Sequence, residues 1–416
     1  METPPCRVLY LNHAARPSGA EFALWRMLAA RDPERVRPLV LFGEEGPAAD
    51  LMREINVETH VLPLTGKVRE VRKDTLRAGA FLHLGRLAAM VAYAVRVARF
   101  ARQHRVEVIH TNTIKAHVYG ALAGRLAGLP VVWHLRDYVN ESYFPQAAVR
   151  MIRRLARSWP QHVVAVSRSV LEQLQLGDGG RKSTVVLDGL TDRELDTPTN
   201  PHRRSAEQTL KRIGIIGRLA RWKGQHVFLD AAARVLAAGY GAEFHVVGAP
   251  LFGEGDYEAA LHRQAAELGI AEYVHFHGFT RDVTGELSRL DLLVHASVTG
   301  EPFGQVILEG MAAGVPVIAS RGGGVPEIVT HGENGLLTEM GDAAGLAGAV
   351  GALLDDPVNA HRLACNGHRH VREKFRASDG ASAVADIYRQ ILTSGEARTP
   401  RPAPVATGRT ERAPSL

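Results

Sequence analysis

Short, continuously apolar runs alternate with helical patterns along most of the chain, and this alternation restricts the fold more than any other feature. A run of this kind between two helices indicates a strand that is buried on both faces, which is typical of a parallel sheet with crossover helices. In the first half, the pattern predicts strands over Arg7–Asn12, Val36–Phe42, Val57–Leu62, Val106–His110, Pro130–Leu135, His162–Val166 and Thr184–Leu187.

A second series of strands follows a polar segment, Thr191–Ser205, that is predicted to be a linker. Its strands are Arg212–Gly217, Glu243–Val247, Tyr273–Phe276, Leu290–His295, Val315–Ala319 and Gly335–Thr338. The sequence therefore predicts two doubly wound α/β domains, at residues 1–200 and 209–375. A final helix at about 376–395 is expected to pack back on the first domain, and the Pro/Ala/Thr/Arg-rich tail at 396–416 is expected to be disordered. Ligands of such sheets bind beyond the carboxyl ends of the strands, so two facing domains would share one cleft.

The charge of the chain is unevenly divided. Residues 1–200 hold 28 basic and 20 acidic residues, whereas residues 201–416 hold 22 and 24. Zinc-finger spacings, RNP-type aromatic motifs and Lys/Arg-dense arms are absent from the sequence, so a nucleic-acid partner is not predicted. Phosphorylated small molecules and anionic lipid surfaces remain as partners. The sequence shows no secretory signal and no apolar run of membrane-spanning length, so we expect a cytoplasmic protein.

Two glutamates flank the start of a predicted helix within the sequence GEPFGQVILEG. Glu301 precedes the helix and Glu309 lies inside it, roughly 7–8 Å further along the axis. Backbone amides at such a helix start favour oxyanions or hydroxyls, so Phe303 and Gly304 are predicted to contact a ligand. Two carboxylates at this separation suit a polyol with two distant diols, such as a sugar and a ribose. A helix-start acid and a solvated helix glutamate are the alternative.

Two cations follow the first strand of the second series, in the sequence IGRLARWKG. Arg218, with its planar fork, and Lys223, a point charge, leave the strand on one loop and could clamp a diphosphate. Neutralising a diphosphate helps most as it departs, because charge builds on it in the transition state. A solvated loop is the alternative. A glycine loop also precedes a helix at Ser320–Glu327, where amides could approach an anion.

In this order and spacing, the three elements resemble the retaining glycosyltransferases of family 4, which have the GT-B fold of two Rossmann-like domains facing across a cleft. Glu301 and Glu309 match that family's E-x7-E motif, and Arg218 and Lys223 match its G-R-x4-K-G phosphate clamp. The resemblance covers nearly the whole chain, most strongly from about 209 to 375. It implies that Glu301 faces the donor sugar hydroxyls, that Glu309 faces the ribose hydroxyls, and that the two cations hold the diphosphate.

The resemblance also assigns residues in the first half. The family's glycine-rich loop after the first strand aligns with PSGAE, where Ser18 replaces the first of two glycines and Gly19 is the predicted phosphate contact. His134, in the sequence VWHLRD, matches the family's active-site histidine; it is predicted to face the cleft and contact the transferred sugar. Asp188 stands where relatives usually carry asparagine.

The resemblance implies a transferase that moves a hexose from a nucleotide-diphosphate sugar, most often a UDP-sugar in this family, to an acceptor hydroxyl with retention of configuration. Glycolipid, cell-envelope or exopolysaccharide assembly is the expected setting. The departing phosphate takes the acceptor proton, so neither a cofactor nor a protein base is expected. The chain contains no Asp-x-Asp motif, so no metal site is predicted.

Other functions remain open at this stage. A soluble small-molecule acceptor, a sugar-nucleotide epimerase and a non-catalytic nucleotide-sugar-binding protein are all compatible with the fold. A nicotinamide-dependent oxidoreductase is disfavoured, because the turn after the first strand lacks Gly-x-Gly-x-x-Gly.

Basic residues in the first half also suggest peripheral contact with the inner face of the cell membrane. One predicted helix face carries four arginines opposite three apolar residues expected to pack on the sheet, namely Arg150, Arg153, Arg154 and Arg157 opposite Met151, Ile152 and Leu155. A second helix is predicted over Leu82–Arg102, and the stripe expected to face the core is Leu87, Met90, Val91, Ala94 and Ala98. Further cations precede this helix, namely Lys67, Arg69, Arg72, Lys73 and Arg77. Ordinary solvated helix faces are the alternative.

Overall fold

A computed structural model describes residues 4–64, 80–141, 144–177, 182–196, 210–250 and 254–394. The tail at 396–416 and the cations between Lys67 and Arg77 lie outside these ranges, so the predictions made for them are not addressed by the structure.

A sheet of parallel strands forms the first half of the described chain. Its order is β3-β2-β1-β4-β5-β6-β7. The strands are β1 (Cys6–Asn12), β2 (Val36–Phe42), β3 (Glu58–Val61), β4 (Val108–Thr111), β5 (Val131–Leu135), β6 (His162–Ala165) and β7 (Lys182–Val185). The helices of this half are α1 (Gly19–Ala29), α2 (Pro47–Glu54), α3 (Ala80–Gln103), α4 (Ile114–Ala127), α5 (Gln146–Ala156), α6 (Arg168–Gln173) and α7 (Asp192–Leu195).

A second parallel sheet follows, in the order β10-β9-β8-β11-β12-β13. Its strands are β8 (Lys211–Ile216), β9 (Ala242–Val247), β10 (Val274–Gly278), β11 (Leu292–His295), β12 (Val317–Ser320) and β13 (Leu336–Thr338). The helices are α8 (Gln225–Ala237), α9 (Gly255–Glu267), α10 (Val283–Ser288), α11 (Gln305–Ala312), α12 (Ala343–Asp355), α13 (Pro357–Lys374) and α14 (Ala377–Thr393), with 3-10 turns at Arg221–Lys223, Ala271–Tyr273 and Val325–Glu327.

In both sheets the strand order switches from one side of the first strand to the other, which confirms the predicted pair of doubly wound domains. β1 lies between β2 and β4, and β8 lies between β9 and β11. The loops that follow the strands on the two sides of this switch run in opposite directions, and a crevice forms between them at the carboxyl end of the sheet. The loops after β1 and β8 therefore stand at the two natural ligand sites of the fold.

The last helix, α14, packs on the first sheet rather than on the second. Its Val384, Ile387 and Ile391 share a buried cluster with side chains of β1 and β2. Tyr388 is fully buried, and its hydroxyl lies 3.1 Å from the hydroxyl of Tyr10 and 2.7 Å from Nδ1 of His110. The end of the chain therefore crosses back and ties the two halves together.

The apolar stripe predicted for α3 is wrong at Leu87 and Val91, whereas Ala94 and Ala98 are buried as predicted. Leu87 and Val91 are 58% and 41% exposed, whereas Tyr93 is buried, contacts the ring of Tyr119 edge-on and donates to the carbonyl of Leu62. The buried side of α3 consists of Tyr93, Ala94, Val97, Ala98 and Ala101. The small residues of this side let α4 approach closely, and Leu87 and Val91 lie on the exposed side of the helix.

Two further expectations also need correction. The polar segment predicted as a linker begins with the short helix α7, because Thr191 and Glu194 form a reciprocal capping box. On α5, Met151 is 49% exposed rather than packed on the sheet. Arg153 and Arg157 donate to backbone carbonyls, including those of Gln173 and Gln175, so two of the four arginines are engaged within the protein.

Candidate active site

A cavity of about 1830 Å³ lies between the carboxyl ends of the two sheets. The first half lines it with the loop after β1 and the start of α1, and the second half lines it with the loop after β8 and the start of α11. Predicted site residues Gly19, Arg218, Lys223, Glu301 and Glu309 all line this cavity, and so do two more, Phe303 and Gly304. The fold thus brings together residues that are up to 290 positions apart.

Glu301 is the centre of a compact polar cluster on the second domain. Its Oε2 lies 2.7 Å from Nζ of Lys223, 3.3 Å from Nε2 of His295 and 3.1 Å from the hydroxyl of Ser297. Burial opposes ionisation of this carboxyl, but Lys223 and His295 outweigh it and hold its pKa well below the ordinary range. Glu301 is therefore an ionised, oriented carboxylate at neutral pH.

The two predicted cations occupy different surroundings. Lys223 ends the 3-10 turn after β8 and pairs with Glu301, with its ammonium 4.4 Å from the ring centre of Trp222. Gly224, which follows it, has φ +75°, and an added Cβ would meet the carbonyl oxygen of Ala296 at 1.8 Å, so the turn requires glycine. Arg218 lies over the same Trp222 ring, 3.7 Å from the carboxylate of Glu254.

The loop that carries Glu301 is positioned by the other domain. The hydroxyl of Tyr138 donates to the Glu301 carbonyl at 3.1 Å, and that of Ser167 donates to the Pro302 carbonyl at 2.6 Å. The glycine loop after β12 packs on the same backbone: Gly323 has φ +64°, and an added Cβ would lie 2.1 Å from the Glu301 carbonyl oxygen. These glycines therefore contact the acidic loop, which is a different contact from the one with an anion that the sequence suggested.

Glu309 faces a cation that the sequence did not indicate. Nη2 of Arg26, on α1, lies 2.5 Å from Oε1 of Glu309, and the same guanidinium forms a bidentate pair with Glu194. Arg26 is 5% exposed, yet it lines the cavity. The helix face that was predicted to meet a ribose thus also carries a contact between the domains.

The residues expected to present backbone amides lie at both helix starts. Gly304 is the N-cap of α11 with φ +112°, and Phe303 buries its ring near Phe375. Gly19 is the first residue of α1, and its carbonyl accepts a hydrogen bond from Nε2 of Gln305 at 2.7 Å. Two helix N-termini, of α1 and α11, thus meet across the cavity, and each offers partial positive charge to an anion.

Glu21 completes the wall formed by α1. It is 4% exposed and accepts a hydrogen bond of 2.5 Å from the Ser18 hydroxyl. Burial raises its pKa to about 7, with a smaller contribution from the charge of Asp137. This carboxyl changes protonation near neutral pH.

The predicted position of His134 is wrong. The ring is 1% exposed inside β5 and does not line the cavity. Its Nδ1 lies 3.2 Å from Nε2 of His110 on β4, and His110 is covered in turn by Tyr388 of α14. Burial and the nearby Arg136 lower the pKa of both imidazoles well below the ordinary value, so both rings are neutral. His134 is the penultimate residue of β5, but its ring lies against His110 rather than in the cavity.

Arg136 and Asp188 line the cavity, whereas His134, two residues before Arg136, does not. Arg136 pairs with Asp188, and its Nε donates to Oδ1 of Asn112 at 2.8 Å. Asp188 also accepts a hydrogen bond of 3.3 Å from Gln305, across the domains. The aspartate that departs from the usual family residue is therefore an ionic partner of Arg136.

One cluster in the described part of the chain has metal-ligand geometry, and it lies away from the cavity. Glu58 and His60 on β3, with His104 just after α3, place three ligand atoms within 4.8 Å of one another. None of the three lines the cavity. Among the helices that the structure describes, not one combines the length and the apolar character that a bilayer-spanning helix needs.

Comparison with known proteins accounts for this arrangement. A family model described as glycosyl transferases group 1 matches residues 196–370, and one described as glycosyltransferase family 4 matches residues 49–190. HepE of Anabaena, solved in complex with UDP and glucose, is 30% identical, with 92% of this chain and 99% of HepE covered and a TM-score of 0.79.

Curated relatives are similar over shorter stretches. LpsE of Rhizobium meliloti, a lipopolysaccharide core biosynthesis glycosyltransferase, is 35% identical over 179 residues, which is 43% of this chain and 48% of LpsE. The chain thus spans about half the length of LpsE. The phosphatidyl-myo-inositol mannosyltransferase of Mycobacterium leprae is 28% identical over 75% of this chain and 81% of its own. On the two family models and the similarity to HepE over nearly its whole length, the chain belongs to the group 1 glycosyltransferases and has their GT-B fold.

Proposed function

We propose that this protein is a retaining hexosyltransferase that transfers a hexose from a UDP-sugar to an acceptor hydroxyl in glycolipid, cell-envelope or exopolysaccharide assembly. The observation that carries the proposal is the Lys223–Glu301 pair beside Arg218 in a cavity shared by both domains. HepE, which is 30% identical, has been solved in complex with UDP-glucose. LpsE supports an acceptor of the cell-envelope class through its similarity.

The donor would lie along the wall formed by the second domain. Arg218 and Lys223 would hold the diphosphate, together with the amides at the starts of α1 and α11. Glu301 would accept hydrogen bonds from the sugar hydroxyls, and Glu309 would accept them from the ribose. Because Lys223 already neutralises Glu301, the pair presents both a hydrogen-bond acceptor and a cation without the cost of an isolated buried charge.

The proposed reaction is a front-face displacement. The acceptor oxygen forms a bond to C1 of the sugar on the face from which the diphosphate departs, and the bond between C1 and the phosphate oxygen breaks. The acceptor proton passes to that departing oxygen, so configuration is retained and no protein base is required. Arg218 and Lys223 accelerate this step because negative charge on the diphosphate is greater in the transition state than in the bound donor.

A peripheral membrane contact is part of the proposal. Exposed aliphatic side chains of α3, Leu87 and Val91, accompany the exposed Met151 of α5, and both helices contribute to the cavity wall through Met90 and Met151. Arg150 and Arg154 are exposed on α5. Apolar side chains with flanking cations suit an anionic lipid surface. Vesicle co-sedimentation should rise with anionic lipid and fall with salt; equal absence of binding to neutral and anionic vesicles at low salt would favour a soluble acceptor.

The proposed activity is tested in two steps. Thermal shift with UDP-, GDP- and ADP-sugars identifies the donor, and NMR of the sugar released from the α-linked donor, followed from the first minutes, gives the configuration. We expect a UDP-sugar to stabilise the protein most, the α-anomer to appear first, and activity to persist in EDTA. A β-anomer as the first product, or loss of activity on chelation, would contradict a retaining, metal-independent reaction. Glu301→Gln should weaken donor handling without inverting the product, whereas Glu339→Gln, on the exposed surface, should change neither.

A further inference from the structure

Arg26 connects the two domains at the helix that carries Glu309. Its Nη2 lies 2.5 Å from Oε1 of Glu309, and its Nη1 lies 2.6 Å from Oε1 of Gln305, one turn earlier on α11. Nε and Nη2 also lie 2.9 and 2.8 Å from Oε1 of Glu194. One guanidinium from the first domain thus contacts two carboxylates and one amide oxygen.

Glu194 holds Arg26 firmly on the side of the first domain. Its Oε2 accepts hydrogen bonds from the backbone amide and hydroxyl of Thr191, at 2.9 and 2.8 Å, within the capping box of α7. Burial opposes its ionisation, but Arg26 outweighs this effect and lowers its pKa below the ordinary value. Glu194 therefore holds the guanidinium in place on the first domain, and the same guanidinium contacts α11 of the second domain.

The contact restricts the side chain of Glu309. Only one of its two carboxylate oxygens meets Arg26, and the side chain remains 20% exposed where it lines the cavity. A glutamate on a helix surface samples several rotamers, and each hydrogen bond that it makes to a ligand must repay that lost freedom. A salt bridge to a fixed, buried guanidinium selects one rotamer in advance.

We propose that Arg26 is a positioning residue for Glu309 and thereby sets the preference of the site for a ribose over a 2′-deoxyribose. The inference rests on the proposed contact between Glu309 and the ribose. Its chemistry follows from the geometry: a pre-oriented carboxylate accepts hydrogen bonds from the two vicinal hydroxyls, whereas a mobile one gains less from the second hydroxyl. Because Arg26 and Glu309 belong to different domains, the preference depends on the domains being closed.

The test is the ratio of the dissociation constants of 2′-deoxy-UDP and UDP, measured by calorimetry on the full chain. Because the ribose 2′-hydroxyl would donate a hydrogen bond to the charged Glu309, we expect wild-type protein to bind UDP about 10- to 100-fold more tightly than 2′-deoxy-UDP. We expect Arg26→Ala to reduce the ratio to within about threefold of unity. Glu309→Gln should reduce it equally, and the double variant should reduce it no further.

Two other variants separate positioning from stability. Glu194 bonds to Arg26 and Thr191 rather than to Glu309, so Glu194→Gln should lower the ratio by loosening Arg26. This variant also serves if Arg26→Ala fails to fold. Arg372→Ala is the matched control, because Arg372 contacts the same α7 segment, at the Leu195 carbonyl and Asp196, but does not line the cavity. It should keep the wild-type ratio.

The outcomes distinguish the two proposals. Suppose that Glu309→Gln no longer discriminates UDP from 2′-deoxy-UDP. The role of Arg26 is then overturned if Arg26→Ala keeps the wild-type ratio of dissociation constants. If Arg26→Ala is unfolded, the same result in Glu194→Gln overturns it. Tighter binding of UDP by Arg26→Ala also overturns it, since Arg26 would then compete with the ligand for Glu309. If Glu309→Gln itself retains the ratio, the proposed ribose contact fails instead.

Discussion

The buried pair of Lys223 and Glu301 gives a stability prediction that needs no substrate. Lys223→Met removes the charge and keeps most of the aliphatic stem. It leaves the Glu301 carboxylate buried, with His295 and Ser297 as its remaining partners. We expect the free energy of unfolding to fall, because an ionised carboxylate out of contact with water loses its principal counter-charge.

The magnitude follows from the burial of both partners. Their side chains are 19% and 10% exposed, and Nζ lies 2.7 Å from Oε2. Removing one partner of a buried pair costs about 3–5 kcal/mol. Because Glu301 keeps two other hydrogen-bond partners, we expect a loss of about 3 kcal/mol. Because the folded-state pKa of Glu301 is lowered, the stabilisation is complete above its unfolded pKa and is lost only as pH falls through the folded value. The loss should therefore be similar at pH 6 and pH 8.

The assay is urea unfolding at pH 7 with a double-mutant cycle over Lys223→Met, Glu301→Gln and the double variant. The double variant should be more stable than the sum of the single losses predicts, because no uncompensated charge remains. Lys374→Met, on the exposed surface of α13, is the control and should change stability little. Strictly additive single losses would refute the idea that the two charges are coupled.

Three further predictions concern other parts of the molecule. Arg218→Ala should lower turnover by on the order of 10²–10³, with a native far-UV spectrum, whereas the exposed Arg221→Ala should stay near wild type in the same steady-state assay. Because burial raises the pKa of Glu21 to about 7, the folded protein binds this proton more tightly than the unfolded chain does. The free energy of unfolding should therefore fall as pH rises from about 4.5 to 7. The urea midpoints at pH 5 and pH 8 should differ less in Glu21→Gln than in wild type. Tyr388→Phe should lower the free energy of unfolding by about 1–2 kcal/mol, since the hydroxyl of Tyr10 and the ring of His110 each lose a buried partner. An unchanged melting temperature would contradict this prediction.

Local sequence patterns predicted the strands well because burial on both faces leaves a local signature. The run Val36–Phe42 forms a strand with those bounds, and the other predicted runs form strands shifted by one or two residues. The helix predicted to follow Glu301 and to contain Glu309 likewise forms, and it extends over Gln305–Ala312. In both cases the information lies in a few consecutive residues.

Contacts between distant segments left no such signature. Arg26 and Glu309 are 283 positions apart, and nothing in the local sequence of α1 distinguishes Arg26 from a solvated helix arginine. His134 was misplaced for a related reason: the sequence located its strand, but the packing of α14 over His110 buries that side of the strand. On α3, the buried face shares Ala94 and Ala98 with the predicted stripe but is rotated toward Tyr93 and Val97, which the apolar pattern alone did not indicate.

The claim that the second domain binds the donor through Arg218 and Lys223 is tested most directly by calorimetric titration of UDP. Wild-type protein should bind one UDP per chain, and Arg218→Ala and Lys223→Met should each weaken binding by at least about tenfold while remaining folded. Absence of UDP binding to the wild-type protein, or equal affinities in all three proteins, would contradict the account.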